Sequence, residues 1–405
     1  MIENSIVYRT YKKADYFPLG KAQGSEIFDR NGKRYIDFTS GWNVNNLGFN
    51  HPEIAQTITT QLQKNAQSLL WGSNPIQEEY AQALTDALPQ PLNACCKETG
   101  GTESIETAIK IARVFTKRST ILGFSDSYHG QLFASLALGG TTNKESLVPL
   151  VPAIETLPFP SKKFTDEKFV DFLANLESRL AKEDVAALVT EAGIITGWGS
   201  TTIAHPQLLT QLRRLTKKYD TLLIVDEVGT GFSRTGKLFA IEHEQVVPDM
   251  ICLAKGISNG VGAIGTVVGK AEIFEPAFDQ AWLISTFGWT PLACAAALKT
   301  LQIHQRDDTA AQATQKGQYI KDKLALHLND KLIEVDGLGL ELGLRLDSPD
   351  SATILQQSCF ADGLQIVVGS GHNIQLMPPL NISMALLDEG LDILIRNLTK
   401  LGRVP

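Results

Sequence analysis

Residues 221–255 read TLLIVDEVGTGFSRTGKLFAIEHEQVVPDMICLAK, and the fold turns on how this stretch is read. An apolar run, 222–225, stops at two acids, Asp226 and Glu227; a glycine-rich turn follows; a second apolar run, 250–254, stops at Lys255 and Gly256. Runs this short and rich in Ile, Leu and Val fit strands buried on both faces. In open α/β sheets ligands sit beyond the carboxyl ends of such strands. The stretch therefore predicts a carboxylate, Asp226, and an amine, Lys255, delivered to one crevice. Taken singly, an acid at a strand end and a lysine before a glycine are ordinary loop residues, so the neighbouring segments decide between the two readings.

Upstream, βα alternation is regular. A strand over Thr120–Phe124 runs into SDSYHG at 125–130, a helix near 165–182 precedes a strand 185–190 ending at Glu191, and a helix opened by Pro206 returns the chain to 222–225. Strand–helix–strand repetition means a parallel sheet with helices on both faces, and it brings Tyr128, His129, Glu191, Asp226 and Lys255 to one rim. Residues 99–116, TGGTESIETAIKIARVFT, place a glycine pair before an amphipathic helix carrying Ile105, Ala108, Ile109, Ala112 and Phe115. Backbone N–H groups and the positive dipole end at such a start suit an anion such as phosphate. No GKS or GKT follows, so it is not a Walker loop.

The remaining pattern is that of an α/β protein with a second, smaller unit. Residues 24–38 predict a hairpin turning at 29–32. The loop TSGWNVNNLGFNHPE holds Trp42, either a packing anchor or a substrate wall. Helical faces run through Ile54, Ile58 and Leu62 and through Ile76, Tyr80, Leu84 and Leu88, with a turn at 69–75 between them. A strand is expected at Gly265–Gly269, a helix opened by Pro291, strands at 338–346 and 363–368, and a last helix with Leu391, Leu394, Ile395 and Leu398 on one face. The expected division is residues 1–50 joining the small domain, 51–300 the large domain, and 301–405 the small domain.

Bulk properties exclude several classes. The chain has 405 residues, 43% apolar and 20% charged, the make-up of a soluble two-domain protein. A net charge of −7 argues against nucleic acid, which needs clustered Lys and Arg. The start MIENSIVYRTYKK has no apolar signal core and no run reaches membrane-spanning length, so the expected location is cytoplasmic. Five cysteines without CxxC spacing indicate neither a disulfide framework nor a zinc site; Cys252, within a strand, is expected to be a buried inert thiol.

A phosphate cradle, an aromatic, an acid and a lysine on one rim meet the needs of pyridoxal phosphate. The acid keeps the ring nitrogen protonated, which makes the ring an electron sink. Opposite charges near 4 Å attract by roughly 4 kcal/mol at an effective dielectric of about 20, enough to hold a pyridinium charged at neutral pH.

With these blocks in place the chain resembles the class III aminotransferases, the group with acetylornithine, ornithine and 4-aminobutyrate aminotransferases. DEVGTGFSRTG followed by PDMICLAKGISNG is the most specific part; FTSGWNVNNLGFNHP, GGTESIETAIKIAR, SYHG and STFGWTPLACAAA follow the family's blocks over nearly the whole chain. The resemblance implies fold type I, with a mostly parallel seven-stranded sheet in a large domain and a small α+β domain. It implies pyridoxal 5'-phosphate and a ping-pong transfer between an amine and a keto or aldehyde acceptor. Lys255 matches the Schiff-base lysine, Asp226 the pyridinium partner, Gly101 and Thr102 the phosphate turn, Tyr128 the stacked aromatic, and Val228 the packing on the opposite ring face. Thr286 matches the residue reaching the phosphate from a neighbouring subunit, which implies a homodimer with shared active sites.

Departures from the family are as informative. Gln131 and Gln375 stand where members often have carboxylate-binding arginines. Glu191 matches the glutamate that pairs with the second of these, so its partner is missing. Gly229 stands for a glutamine, Ile105 for an asparagine, and Trp289 for a glycine. A buried carboxylate without its cation costs on the order of 3–5 kcal/mol, hundreds-fold or more in binding. The expectation is a substrate without a carboxylate at those places, contacted by Gln131, Gln375 and Glu191 with Trp42 and Trp289 narrowing the pocket; the alternative is a cation relocated from another loop. An isomerase on the same scaffold (racemase, epimerase or aminomutase) and a non-enzymatic dimeric scaffold are the competing functions.

Overall fold

The computed structural model describes residues 17–67, 72–139, 151–327 and 330–401. Seven strands form the central sheet in the order Ala94–Glu98, Gly265–Gly269, Met250–Leu253, Leu222–Asp226, Val185–Glu191, Thr120–Phe124, Ile154–Leu157. Only Gly265–Gly269 runs antiparallel to its neighbours, and the other pairings are parallel. The apolar runs lie where they do because helices cover both faces: every residue of Val185–Glu191 and Leu222–Asp226 is buried. Each such Val, Leu or Ile contributes about 1.5–3 kcal/mol. Helices Asp166–Leu180 and Leu208–Lys218 cover one face with Phe169, Phe172, Leu209, Leu212 and Leu215. Helix Gly101–Thr116 covers the other through Ile105, Ala108, Ile109 and Ala112. Cys252 is buried in its strand, and burial lifts its thiol well above the ordinary value.

The hairpin expected at 24–38 forms between Glu26–Asp29 and Arg34–Asp37. The turn expected at 69–75 lies partly outside the described residues, as does the N-terminal segment. Two strands differ from expectation. The segment 338–346 is a hairpin, Leu332–Leu338 pairing with Glu341–Leu346, because Gly339 takes φ +55° at its turn. The segment 363–368 splits, Leu364–Gln365 joining Arg34–Asp37 and Val367–Val368 joining Asn373–Leu376.

A separate apolar core joins both ends of the chain: Ile36 and Phe38 pack with Ile320, Leu342, Leu344, Leu376, Leu391, Leu394 and Leu398. Helix Pro291–Arg306, by contrast, buries Ala293, Cys294 and Ala297 against the central sheet's core. This distribution supports the division at 51 and 300, which we keep as a proposal. Arg234, buried at the junction, donates to Leu340 O, Pro378 O, Ser40 Oγ and Asn46 Oδ1 at 2.7–3.2 Å. One guanidinium thus holds the N-terminal segment, the glycine-rich turn and the C-terminal hairpin together.

Candidate active site

Register places the chemistry at the carboxyl edge of the sheet. Asp226 lies beside Glu191 on one side and Cys252 on the other; three residues beyond Cys252 the chain reaches Lys255, held at φ +48°. A left-handed non-glycine residue is strained and often marks a functional position. The cavity there has a volume of about 470 Å³ and is lined by Gly101, Thr102, Tyr128, Asp226, Val228 and Lys255, together with Val44, His129, Glu191 and Thr196. The sequence-expected cofactor residues thus line one cavity, Thr286 excepted.

The cradle is closely fitted. Helix Gly101–Thr116 starts at this edge, where the first N–H groups have no partner within the helix. A side chain at Gly101 would come within 2.7 Å of Val228 Cγ1, and one at Gly130, at φ +131°, within 2.4 Å of Thr102 Oγ1. These glycines let the SYHG turn, the helix start and the turn after Asp226 approach one another closely.

Asp226 is 3% exposed. One carboxylate oxygen accepts from Val228 N at 2.8 Å and the other lies 2.7 Å from His129 Nδ1. Burial opposes a charge on His129, but the hydrogen bond to Asp226 and the charges of Asp226 and Glu191 outweigh it, and its pKa is raised. His129 therefore orients Asp226 and shares its charge. Sequence reasoning put His129 on the rim and gave it no role; its adjacency to Tyr128 in SYHG was the available signal.

The substrate residues fare differently. Glu191 does line the cavity, but it is not a free acid: Thr196 donates to it from N at 2.7 Å and Oγ1 at 2.9 Å, and Tyr128 N at 3.4 Å. Burial raises its pKa, partly countered by the charge of His129 and the Thr196 bonds. Thr196 also explains Gly229, where a Cβ would sit 2.3 Å from the threonine hydroxyl. Trp289 is a correction. It is 2% exposed, its Nε1 donates to Gly265 O at 2.9 Å, and its ring packs on Tyr80 at 4.9 Å, so it fills the core and does not narrow the pocket. Gln131 is exposed, and neither it nor Trp42, half-buried at φ +68°, is among the residues lining the cavity. Gln375 is fully buried and bonds Glu341, on the strand Glu341–Leu346, and Thr196 O. Thr286 is exposed, away from its own chain's cavity, beside the exposed Ile284 and Phe287. Among the described residues lining the cavity there is no arginine and a single lysine, Lys255.

Comparison with known proteins gives a consistent result. The family model for aminotransferase class-III matches residues 8–398. Acetylornithine aminotransferase of Methanopyrus kandleri is 33% identical over 378 residues, which cover 92% of each chain. Among solved structures, ornithine aminotransferase from Toxoplasma gondii, described with partial occupancy of pyridoxal phosphate (PLP) at its active site, superposes with a TM-score of 0.89 at 25% identity, covering 98% of this chain and 93% of that one. A six-fold mutant of a thermostable omega transaminase from Pseudomonas jessenii superposes with a TM-score of 0.90 at 22% identity, covering 99% and 97%; at that identity the likeness is one of fold.

Proposed function

Because the chain belongs to the class III aminotransferases, and so is a pyridoxal-phosphate-dependent enzyme moving an amino group between an amino donor and a keto acceptor, we propose that its donor is an amine or amino compound without the carboxylates that paired arginines hold. The observation that carries this reading is the cavity wall: no arginine faces it among the described residues, and the acids Glu191 and Asp226 do. A relocated cation, the alternative, has no candidate among the described residues lining the cavity besides Lys255.

The residues present fit the cofactor. The helix start at Gly101 and Thr102, with its free N–H groups, suits its phosphate, and Tyr128 and Val228, which both line the cavity, would pack on its ring. When bound, pyridoxal phosphate supplies an electron sink for charge developing at the substrate carbon. Asp226, oriented by His129, holds a proton at the ring nitrogen. Lys255 would provide the amine that tethers the cofactor and, as a neutral base, would move the proton from the substrate carbon to the cofactor's C4′. Thr286 of a second copy would complete the phosphate site, which supports a homodimer.

The test is to load the protein with cofactor and follow its absorbance as the aldehyde form becomes the amine form. Simple primary amines should convert it quickly and glutamate slowly. Brisk conversion by glutamate and none by carboxylate-free amines would overturn the reading.

A further inference from the structure

The turn 196–201, reading TGWGST, lies between the two cores. It is the tip of a short hairpin, Ile194–Ile195 paired with Thr202–Ile203, that follows Glu191 out of the central sheet. On one side it docks on the strands Val367–Val368 and Asn373–Leu376, which pack in the second core. Ser370 N donates to Trp198 O at 2.5 Å, and Asn373 Nδ2 donates to Gly199 O at 2.5 Å and to Thr201 Oγ1 at 2.8 Å. A side chain at Gly199 would come within 2.5 Å of Gly369 Cα, and one at Gly369 within 2.3 Å of Gly199 O, so backbone meets backbone there.

On the other side the same turn meets the cavity, which Thr196 and Gly197 line together with Tyr128. A side chain at Gly197 would lie 2.2 Å from Tyr128 Cβ, and the Trp198 ring stands edge-on to the Tyr128 ring, with centroids 5.0 Å apart and planes at 81°. Such a pair sets the positive edge of one ring against the negative face of the other. Trp198 is left-handed, at φ +52°, a conformation that bulky residues rarely adopt. Burial does not put it there, because Trp198 is 42% exposed, in contrast to Trp289. Strain of this kind persists where the surroundings fix it, and here the bonds from Ser370 and Asn373 fix the backbone while the indole rests on Tyr128. Trp198 is not itself among the residues lining the cavity, so its route to the site runs through Tyr128.

We propose that Trp198 is a positioning residue for the cofactor: its ring sets the plane of Tyr128 and ties that setting to the docking of the C-terminal strands on the turn 196–201. The inference rests on the reading of Tyr128 as the aromatic that packs on the cofactor ring, and it adds what holds that aromatic in place. A phenol ordered beforehand binds a flat ring without the cost of being ordered on binding. Loss of the indole is therefore read as weaker cofactor binding and a less rigidly held cofactor.

The experiment dialyses cofactor-loaded wild type, W198A, W198F, Y128A and the double variant W198A/Y128A against graded pyridoxal phosphate, and reads the dissociation constant and the visible circular dichroism per bound cofactor. Y128A is expected to bind the cofactor about tenfold more weakly, with a smaller dichroic band. W198A is expected to raise the dissociation constant about fivefold and to lose about half of the band, while W198F, which keeps an aromatic edge, stays within about twofold of wild type. Because the two residues act as one unit, the double variant is expected to match Y128A within about twofold. Wild-type binding and dichroism in W198A, losses that add in the double variant, or a lowered unfolding midpoint with an unchanged band would each overturn the assignment; if W198A does not fold, W198L is read in the same way. Y128A that binds the cofactor like wild type removes the parent reading of Tyr128, whereas a weakened Y128A beside an unchanged W198A removes only this inference.

Discussion

The chemistry of the site reduces to a few atoms. Asp226 holds two fixed partners, Val228 N and His129 Nδ1, so its carboxylate can face the cavity in one orientation only. Its negative charge is what would keep the ring nitrogen protonated, and roughly 4 kcal/mol of attraction at an effective dielectric of about 20 corresponds to about a thousandfold in rate. D226N should therefore lower the half-reaction rate by about that factor while the protein still folds, as measured by single-turnover absorbance; a loss under tenfold would mean that another group supplies the charge. Much of this residue-level picture was legible in the sequence. A pair of apolar runs ending in Asp226 and Lys255 is a local signal, and strand ends converge by topology. The contact between His129 and Asp226 was not legible, because residues so far apart in sequence meet only in the fold.

Among the elements, the long-range identity of a wall is what sequence reading misplaced. By the family resemblance Trp289 replaces a glycine, and that departure suggested a narrowed pocket. The helix Pro291–Arg306 that follows it instead packs on the sheet, carrying the indole inward against Tyr80 with its N–H on Gly265 O. W289F leaves that carbonyl unpaired and part of the core unfilled, which should destabilise the protein by about 2–4 kcal/mol and leave the ratio of rates among amine donors unchanged. Denaturant titration and the donor panel check both halves; altered preference without lost stability would put the residue back on the pocket wall. Glu191 shows the same limit. The missing arginine left it unpaired on paper, yet a threonine five residues on, Thr196, supplies two donors and fills the space that Gly229 leaves. Short strands, amphipathic helices and glycine turns were readable because their signals are local; compensations such as Thr196 for Gly229 were not, since they require the fold.

For the whole molecule, the junction of the two cores holds several ionisable groups out of water. Burial raises the pKa of Glu341 and of Glu227 to about 7 and of Asp37 to about 6, while Arg234 ties the segments between them. A carboxyl raised in the folded state keeps a proton that the unfolded chain has already lost. Between the ordinary value near 4.5 and about 7, the unfolded state therefore binds fewer protons, and stability falls as pH rises. E341Q removes one such group. The stability of wild type relative to E341Q should drop by on the order of 3 kcal/mol between pH 4.5 and 8, read from denaturation midpoints across that range; a flat or rising difference would show that Glu341 is ionised throughout. Among the described residues no helix is long and apolar enough to cross a membrane. The exposed Ile284, Thr286 and Phe287 are the surface on which a second copy would be sought.

The central claim is that one lysine, held at the end of the strand Met250–Leu253 opposite Asp226, carries the cofactor. Reductive trapping of the pyridoxal-phosphate-loaded protein with borohydride, followed by peptide mapping, tests it most directly. The account predicts a single stable label on Lys255, lost together with the visible absorbance band in K255A; a label on any other lysine, or a band that persists in K255A, would contradict it.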